Sequence, residues 1–256
     1  MNRTRKRAGA AAGITLVELL IVITLIGLLL CVMLPAVSSA IDLARAVDCK
    51  SNLRQLAFAV RLYTKDSGGL YPPAWVIQGS GSRGWCGGYH SGADGPTMDV
   101  TESPLWPYLG DKRVLRCASY TPAALKYAAS GEISGYGINS QYVAGDPVSD
   151  PNDGAAGMSS YARPAAVTEI RHPDQTVLLA DCGRVKKGVV TEEFFIWPLT
   201  KPGSKTRNAA TIHFRHSGQA NAAFCDGHVE EMEPLELDPA GDGRCGWLAN
   251  EIMDRN

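Results

Sequence analysis

The stretch Gly13-Ile14-Thr15-Leu16-Val17-Glu18, followed by sixteen uncharged residues from Leu19 to Leu34, decides how the rest of this chain is organised. As a helix, the 21 residues from 14 to 34 would be roughly 30 Å long, which is enough to cross the hydrocarbon core of a membrane. A basic tip before an apolar segment predicts a single membrane-spanning helix whose N-terminus stays in the cytoplasm. The basic residues of that tip are Arg3, Arg5, Lys6 and Arg7.

Glu18 is the unusual residue of the apolar segment. A carboxylate inside a membrane-spanning helix costs about 3 kcal/mol at the helix centre, so we expect Glu18 to have a partner. A plain signal anchor is the alternative, but it has no need of an acid at this place. A cleaved secretory signal would have a shorter apolar core followed by small residues. Pro35 ends the apolar run and predicts a kink or a change of environment.

These residues resemble a known processing site. Gly, a hydrophobic residue and then Thr-Leu-Val-Glu-Leu-Leu are similar to the N-terminal site of type IV pilins and of type II secretion pseudopilins. The resemblance implies that a prepilin peptidase of the inner membrane cuts between Gly13 and Ile14 and methylates the new amine. It also implies that Glu18, the fifth residue of the mature chain, acts in assembly with other pilin-like subunits. The family usually has Phe where this chain has Ile14.

Residues 36 to 66 predict an amphipathic continuation of the helix, which Gly68-Gly69 would end. The segment 49 to 56 also resembles the stalk of a large pilin-like family with a C-terminal H-x9-D-G element, and this chain has that element at His216, Asp226 and Gly227. Apolar residues of the predicted inner face recur at spacings of three and four: Ile41, Ala44, Val47, Leu53, Leu56, Val60 and Tyr63.

The rest of the chain is long enough for one globular domain with its own core. We predict an α+β fold, and the resemblance implies a pilin-like one, with the long N-terminal helix packed on an antiparallel β-sheet with extended loops. The predicted organisation is a basic leader (1–13), a membrane or filament-core helix (14–35), an amphipathic stalk (36–67) and an extracytoplasmic domain (68–256).

Local patterns predict the following elements of that domain. Glycine-rich 79–95 is expected to be a surface loop held by aromatic residues, and 144–160 a second loop. Residues 114–117, 176–181 and 193–197 are expected to be strands. Residues 209–216 and 220–225 are expected to pair as a hairpin, and Asp226-Gly227 to make the next tight turn.

Charge and cysteine spacing argue against several classes of function. The net charge is −1, and removal of the leader leaves 21 basic and 26 acidic residues, so no basic face for nucleic acid is expected. No cysteine pair has the C-x-x-C spacing of a zinc or redox motif. Six cysteines lie beyond the apolar segment, where disulfides can persist if the domain is exported, and their pairing stays open. The seven cysteines are Cys31, Cys49, Cys86, Cys117, Cys182, Cys225 and Cys245.

Two groups of residues are candidate ion sites, and each also has a structural explanation. Asp146, Asp150 and Asp153 have the hard oxygen ligands that calcium needs, but they lack EF-hand spacing, and a solvated loop is the alternative. The histidines and the aspartate of the C-terminal segment suggest a metal or hydrolase site. Strand geometry places them apart, so we expect His216 to bond the turn backbone and Asp226-Gly227 to set the turn. No cofactor is predicted. The metal candidates are His213, His216, Asp226 and His228.

Three classes of function remain. The resemblance implies a structural pseudopilin-like subunit with prepilin peptidase, other pilin-like subunits and the inner membrane as partners. The alternative is a monomeric membrane-anchored binding module whose rim loops hold a ligand or calcium. An enzyme is the third class, and no nucleophile–base constellation in the sequence supports it.

Overall fold

The structure is a computed structural model that describes residues 14–78, 81–92, 95–120, 135–145, 163–200, 207–239, 241–249 and 252–253. Gly13, the basic leader and the Asp-rich loop with Asp146, Asp150 and Asp153 lie outside the described residues. The chain divides into two compact units, Met1–Leu43 and Ala44–Asn256. The second unit therefore begins inside the segment predicted as a stalk.

Two α-helices and fourteen strands occur within the described residues, together with short 3-10 helices at Val100–Glu102, Lys112–Leu115 and Val167–Glu169. In chain order they are α1 (Leu16–Asp66), β1 (Trp75–Gln78), β2 (Gly81–Gly84), β3 (Gly87–Gly92), β4 (Gly95–Asp99), α2 (Trp106–Leu109), β5 (Tyr136–Asn139), β6 (Val177–Asp181), β7 (Arg184–Lys186), β8 (Val189–Thr191), β9 (Phe195–Ile196), β10 (Ile212–His213), β11 (Ala220–Phe224), β12 (Val229–Met232), β13 (Glu236–Leu237) and β14 (Cys245–Trp247).

Helix α1 confirms the long N-terminal helix. It continues through Pro35, so this proline does not end it, and Gly68 and Gly69 follow its end with φ of +69° and +88°. Every residue from 14 to 45 is exposed. Among the described residues α1 is the one helix long and apolar enough to cross a membrane.

The C-terminal half of α1 belongs to the core of the second unit. Leu53, Leu56 and Val60 are buried as predicted, and they share one hydrophobic core with strand residues such as Ile138 and Leu179. The predicted inner face extends too far towards the N-terminus. Ile41, Ala44 and Val47 are exposed, because the core contacts of α1 begin at Cys49.

The central sheet has five strands in the order β12-β11-β6-β5-β9. Its neighbouring strands are antiparallel except for β5 and β9, which are parallel. Strands β5, β6 and β11 are buried along their whole length. The fold is therefore α+β with largely antiparallel sheets, as the sequence predicts.

The glycine-rich stretch was predicted wrongly as a loop. Strands β1 to β4 form a four-stranded antiparallel sheet there. Strands pair through backbone N–H and C=O groups, which glycine also has. The many glycines of this stretch therefore did not prevent strand formation. Trp85 lies in the turn between β2 and β3, fully buried, and its indole Nε1 donates to the Phe194 carbonyl at 3.0 Å. The expected attachment by an aromatic residue is confirmed.

Two strand predictions also need correction. Residues 112–115 form a 3-10 helix where a strand was expected at 114–117. The predicted hairpin of 209–216 with 220–225 does not form, because β10 covers only Ile212 and His213 and pairs with β14, whereas β11 pairs with β6 and β12. The chain leaves β10 after His213, and Arg215 and His216 then turn their side chains to Asp181 of β6.

Candidate functional site

The start of α1 gives Glu18 a partner within its own chain. Its Oε2 accepts hydrogen bonds from the Thr15 backbone nitrogen and from Thr15 Oγ1, both at 2.8 Å. Thr15 Oγ1 also lies 3.2 Å from the Glu18 backbone nitrogen, which donates to it. These reciprocal bonds make a capping box, in which a Thr and a Glu three residues later satisfy the free N–H groups of a helix start.

The capping box was missed from the sequence although its signature, Thr15-x-x-Glu18, was present. The carboxylate was interpreted only as an anomaly of the apolar segment. Its local role and the assembly role implied by the resemblance are compatible, since a carboxylate has lone pairs for more than two donors.

The second unit contains a buried polar cluster made by Asp181, Arg215 and His216. Asp181 Oδ1 lies 2.8 Å from Arg215 Nη2, and Asp181 Oδ2 lies 3.2 Å from His216 Nε2. The three side chains are 0%, 1% and 4% exposed. Charges at this depth are tolerated only when they are paired and hydrogen-bonded.

Neighbouring elements satisfy most of the remaining hydrogen bonds of the cluster. Asp181 ends β6, and its Oδ2 accepts from the backbone nitrogen of Asn221 in β11 at 2.7 Å and from Asn221 Nδ2 at 3.1 Å. Arg215 donates to the carbonyls of Gly135 and Cys182. The cluster thus ties β6, β11 and the start of β5 to the segment after β10.

The environment fixes the charges of these groups. Burial disfavours ionisation of Asp181, but Arg215 and His216 outweigh burial and lower the pKa of the carboxyl. Burial also disfavours the imidazolium of His216, yet its hydrogen bond to Asp181 raises its pKa to about 9. At neutral pH the cluster therefore holds a carboxylate, a guanidinium and an imidazolium.

Two cysteines complete the cluster. Cys117 Sγ lies 3.7 Å from His216 Nε2 and accepts from Arg215 Nε at 3.3 Å. The sulphurs of Cys49 and Cys117 and a ring nitrogen of His216 all lie within 4.8 Å of one another, and all three residues are buried. Three such atoms are the soft and borderline ligands that zinc or copper prefers.

The cluster does not have the geometry of a nucleophile triad. In a triad the histidine bonds the acid through one ring nitrogen and the nucleophile through the other. Here Asp181 and Cys117 both face Nε2 of His216. The imidazole therefore cannot relay a proton between them, and the sulphurs are closed to solvent.

His213 faces a different group of residues. Its Nε2 lies 3.1 Å from Asp242 Oδ2, and Cys245 Sγ is also close. Burial is the largest influence on His213 and lowers its pKa to about 4, so it is neutral at pH 7. Its Nδ1 is buried without a hydrogen-bond partner among the described residues. A metal-bound histidine normally bonds through its second nitrogen, so this group fits a metal poorly.

The H-x9-D-G residues have separate roles. Asp226 Oδ1 accepts from the His228 backbone nitrogen at 3.0 Å, and Gly227 has φ of +101°, so the prediction that these two residues set the turn is confirmed. The prediction for His216 is wrong in part. Its backbone pairs with Gln219, but its ring bonds Asp181 and not the turn.

Sequence reasoning missed Asp181, Arg215 and the two thiols as one group. A signal was present for Asp181, which ends the apolar run Val177–Ala180 as a lone acid. An acid at the end of a buried strand needs a cation, and no pattern in the sequence identifies Arg215 as that cation.

Comparison of the chain with models of protein families, with curated proteins and with solved structures found no match. Function is therefore inferred from the residues and their geometry.

Proposed function

We propose that the chain is a structural subunit of a pilin-like assembly, of the kind found in type II secretion and type IV pilus systems. A prepilin peptidase would cut it after Gly13, methylate Ile14, and leave a single-pass inner-membrane protein with its C-terminal domain outside the cytoplasm. The domain is proposed to have a pilin-like α+β fold. No catalytic step is assigned to it.

One observation carries this proposal: no other part of the chain that the structure describes covers the apolar half of α1. Among its apolar side chains the exposed fraction is 79% at Ile14, 56% at Leu19 and 63% at Leu29. Exposure of apolar surface to water costs about 25 cal/mol per Å², so an exposed apolar surface of this size is unfavourable. Lipid or the helices of neighbouring subunits would cover this apolar surface. The core of a filament supplies such neighbouring helices.

Glu18 supports a filament over a plain anchor. Its carboxylate lies one helical turn from the residue that processing would make the N-terminus, and it already accepts from Thr15. In a filament core of low dielectric, the amine of a neighbouring Ile14 and the carboxylate of Glu18 would attract strongly. A monomeric binding module has no such use for a buried carboxylate.

The mature N-terminus tests the proposal. The chain is produced in cells with a prepilin peptidase, purified from membranes and analysed by mass spectrometry. We expect a terminus at Ile14 with a methylated amine, and we expect Gly13→Val to leave the leader in place. Gly9→Val is the matched control, because it makes the same change within the leader away from the proposed cut. Mature protein that retains Arg3 to Arg7, or that is cut beyond Leu34, would exclude the pilin-like function.

A further inference from the structure

Cys49 and Cys117 are far apart in the sequence but meet in the core. Cys49 lies on α1, and Cys117 follows the 3-10 helix Lys112–Leu115. Their sulphurs lie within 4.8 Å of each other, and both residues are 0% exposed. A disulfide needs the two sulphurs about 2 Å apart, so they would have to move closer together to bond.

Groups other than sulphur hold these two segments together. Asn52, one turn after Cys49 on α1, donates its Nδ2 to the Arg116 carbonyl at 3.1 Å. Arg116 is the residue directly before Cys117. Tyr136 Oη donates to the Cys49 carbonyl at 3.4 Å. One hydrogen bond therefore joins the two segments beside the cysteines, and a second fixes Cys49 against β5.

The surroundings also favour thiol chemistry. The hydrogen bond from Cys117 is the main influence on Cys49 and lowers the pKa of its thiol to about 7, while burial raises the pKa of Cys117. Arg215 donates its Nε to Cys117 Sγ at 3.3 Å. In the folded chain the two sulphurs therefore lie beside each other and beside a cation, which favours the thiolate form.

We propose that Cys49 and Cys117 are joined by a disulfide bond that links α1 covalently to the segment that precedes β5. In the cell, this bond rests on the proposed position of the domain outside the cytoplasm, because disulfides persist in oxidising compartments. It closes a loop of about 70 residues, and loops of that length give a large loss of unfolded-state entropy.

The reaction is an exchange with a disulfide oxidant, either a small-molecule disulfide or the disulfide of a thiol oxidoreductase. The thiolate of one cysteine attacks a sulphur of the oxidant, forms a mixed disulfide and releases the first oxidant thiol. The second cysteine loses its proton and attacks the protein sulphur of that mixed disulfide, which releases the second oxidant thiol. Two protein thiols are oxidised and one disulfide is reduced. Because both sulphurs are buried in the folded chain, the exchange precedes the final packing of α1.

A transition-metal site on Cys49, Cys117 and His216 is the competing interpretation, and two observations disfavour it. The guanidinium of Arg215 already lies against Cys117 Sγ, and a second cation beside it would be repelled. Structural zinc takes four ligands. The nearest candidate for the fourth, Asp181, already accepts from Arg215 and Asn221.

The test uses the full chain, purified in detergent from membranes. Free thiols are alkylated under denaturing conditions without reductant, and the peptides are mapped before and after reduction. We expect the peptides with Cys49 and Cys117 to be joined until reduction, with Cys86, a buried thiol outside this contact, alkylated as the internal control. Reduction should lower the melting temperature of the wild type by roughly 5–15 °C. It should leave the melting temperature of the C49S/C117S double variant unchanged.

A second arm separates the pairing from the proposed location. Reduced full chain is refolded in a glutathione redox buffer and mapped in the same way. Free Cys49 and Cys117 in that buffer would overturn the disulfide, as would stoichiometric zinc bound to the wild type and lost in C49S/C117S. If the bond forms in the buffer but both thiols are free in chain from membranes, the pairing is supported and the position outside the cytoplasm is overturned.

Discussion

His216 Nε2 lies 3.2 Å from Asp181 Oδ2, so the first residue of the H-x9-D-G element is bonded to the end of a buried strand 35 residues earlier. Asp181 also pairs with Arg215. The element therefore has two ends with different physical roles. His216 closes a buried ion cluster, and Asp226-Gly227 shapes a surface turn.

The first prediction concerns the buried charge pair. Asp181→Asn removes the carboxylate but keeps the size of the side chain, and it leaves the guanidinium of Arg215 buried without its counter-ion. Loss of one partner of a buried pair typically costs about 3–5 kcal/mol. We expect the free energy of unfolding, measured by urea denaturation of the full chain in detergent, to fall by that order.

Glu236→Gln is the matched control for that change. Glu236 pairs with Arg207 at 2.5 Å, but the side chains are 41% and 51% exposed. Exposed pairs contribute little to stability, so we expect a much smaller loss in this variant. Equal losses in the two variants would mean that burial of the Asp181 cluster does not matter for stability.

The second prediction is that stability is greatest near pH 6.5, because two histidines act in opposite directions. The pKa of His216 is raised to about 9 in the folded state, so its contribution is complete below its unfolded pKa of about 6.5 and is lost as pH rises through 9. The pKa of His213 is lowered to about 4, so its contribution is present above pH 6.5 and is lost as pH falls through 4. Each change is about 2–3 kcal/mol.

Urea midpoints at pH 4.5, 6.5 and 9 would measure the loss of stability on the acid side and on the alkaline side of the maximum, which we call the acid limb and the alkaline limb. The Cys49→Ser background is used, because in any reduced chain the lowered pKa of the Cys49 thiol gives a contribution that is lost as pH falls through 7 and opposes that of His216. His216→Gln should flatten only the alkaline limb, and His213→Gln only the acid limb. An alkaline limb that persists in His216→Gln would assign the titration to another group.

The third prediction compares two glycines with the same backbone conformation. Gly135 and Gly227 both have φ of +101°, which an L-residue adopts only with strain. Apart from its two neighbours in the chain, no described residue lies within 4 Å of a Cβ placed on Gly227, whereas a Cβ on Gly135 would lie 2.9 Å from Cys117 Cβ and 3.0 Å from Arg215 Nη2. We expect Gly227→Val or Gly227→Ala to cost about 1–3 kcal/mol from the backbone alone.

Gly135→Ala should be more destabilising than Gly227→Ala, because it adds steric overlap inside the buried cluster to the same backbone strain. Thermal unfolding of the two alanine variants would give the difference directly. Equal melting temperatures would show that the cluster yields to the added methyl group.

Local patterns in the sequence predicted α1 well. Its expected span of 14 to about 66 matches Leu16–Asp66, since hydrophobic periodicity and the glycines after the helix are properties of neighbouring residues. The strand ending at Asp181 and the Asp226-Gly227 turn were predicted for the same reason.

The buried cluster was not predictable in this way. Cys49, Cys117, Asp181 and Arg215 come from four separate segments, and none of them stands in a periodic pattern that identifies the others. The spacing of His216 and Asp226 suggested a relation between those two residues, but each has another partner. The predicted hairpin of 209–216 with 220–225 was wrong because strand partners could not be read from the sequence. A two-residue strand such as β10 has too few residues to show which strand it pairs with.

The last prediction separates the capping role of Glu18 from the assembly role that we propose for it. Glu18→Gln keeps the size of the side chain and its capacity to accept from Thr15, but it removes the charge that would pair with the amine of a neighbouring Ile14. Loss of that charge would leave the amine unpaired in a filament core, so we expect self-assembly to fall while membrane insertion persists, because the apolar segment is unchanged. Thr15→Val is the matched control: it removes both Oγ1 bonds of the capping box, at 2.8 and 3.2 Å, but keeps the carboxylate. Crosslinking in membranes that contain the remaining subunits would report assembly as the ratio of multimer to monomer. A filament subunit should lose multimers in Glu18→Gln and keep them in Thr15→Val, whereas equal losses would assign Glu18 to capping of α1. If the wild type forms no multimers under these conditions, the chain is better explained as a membrane-anchored binding module.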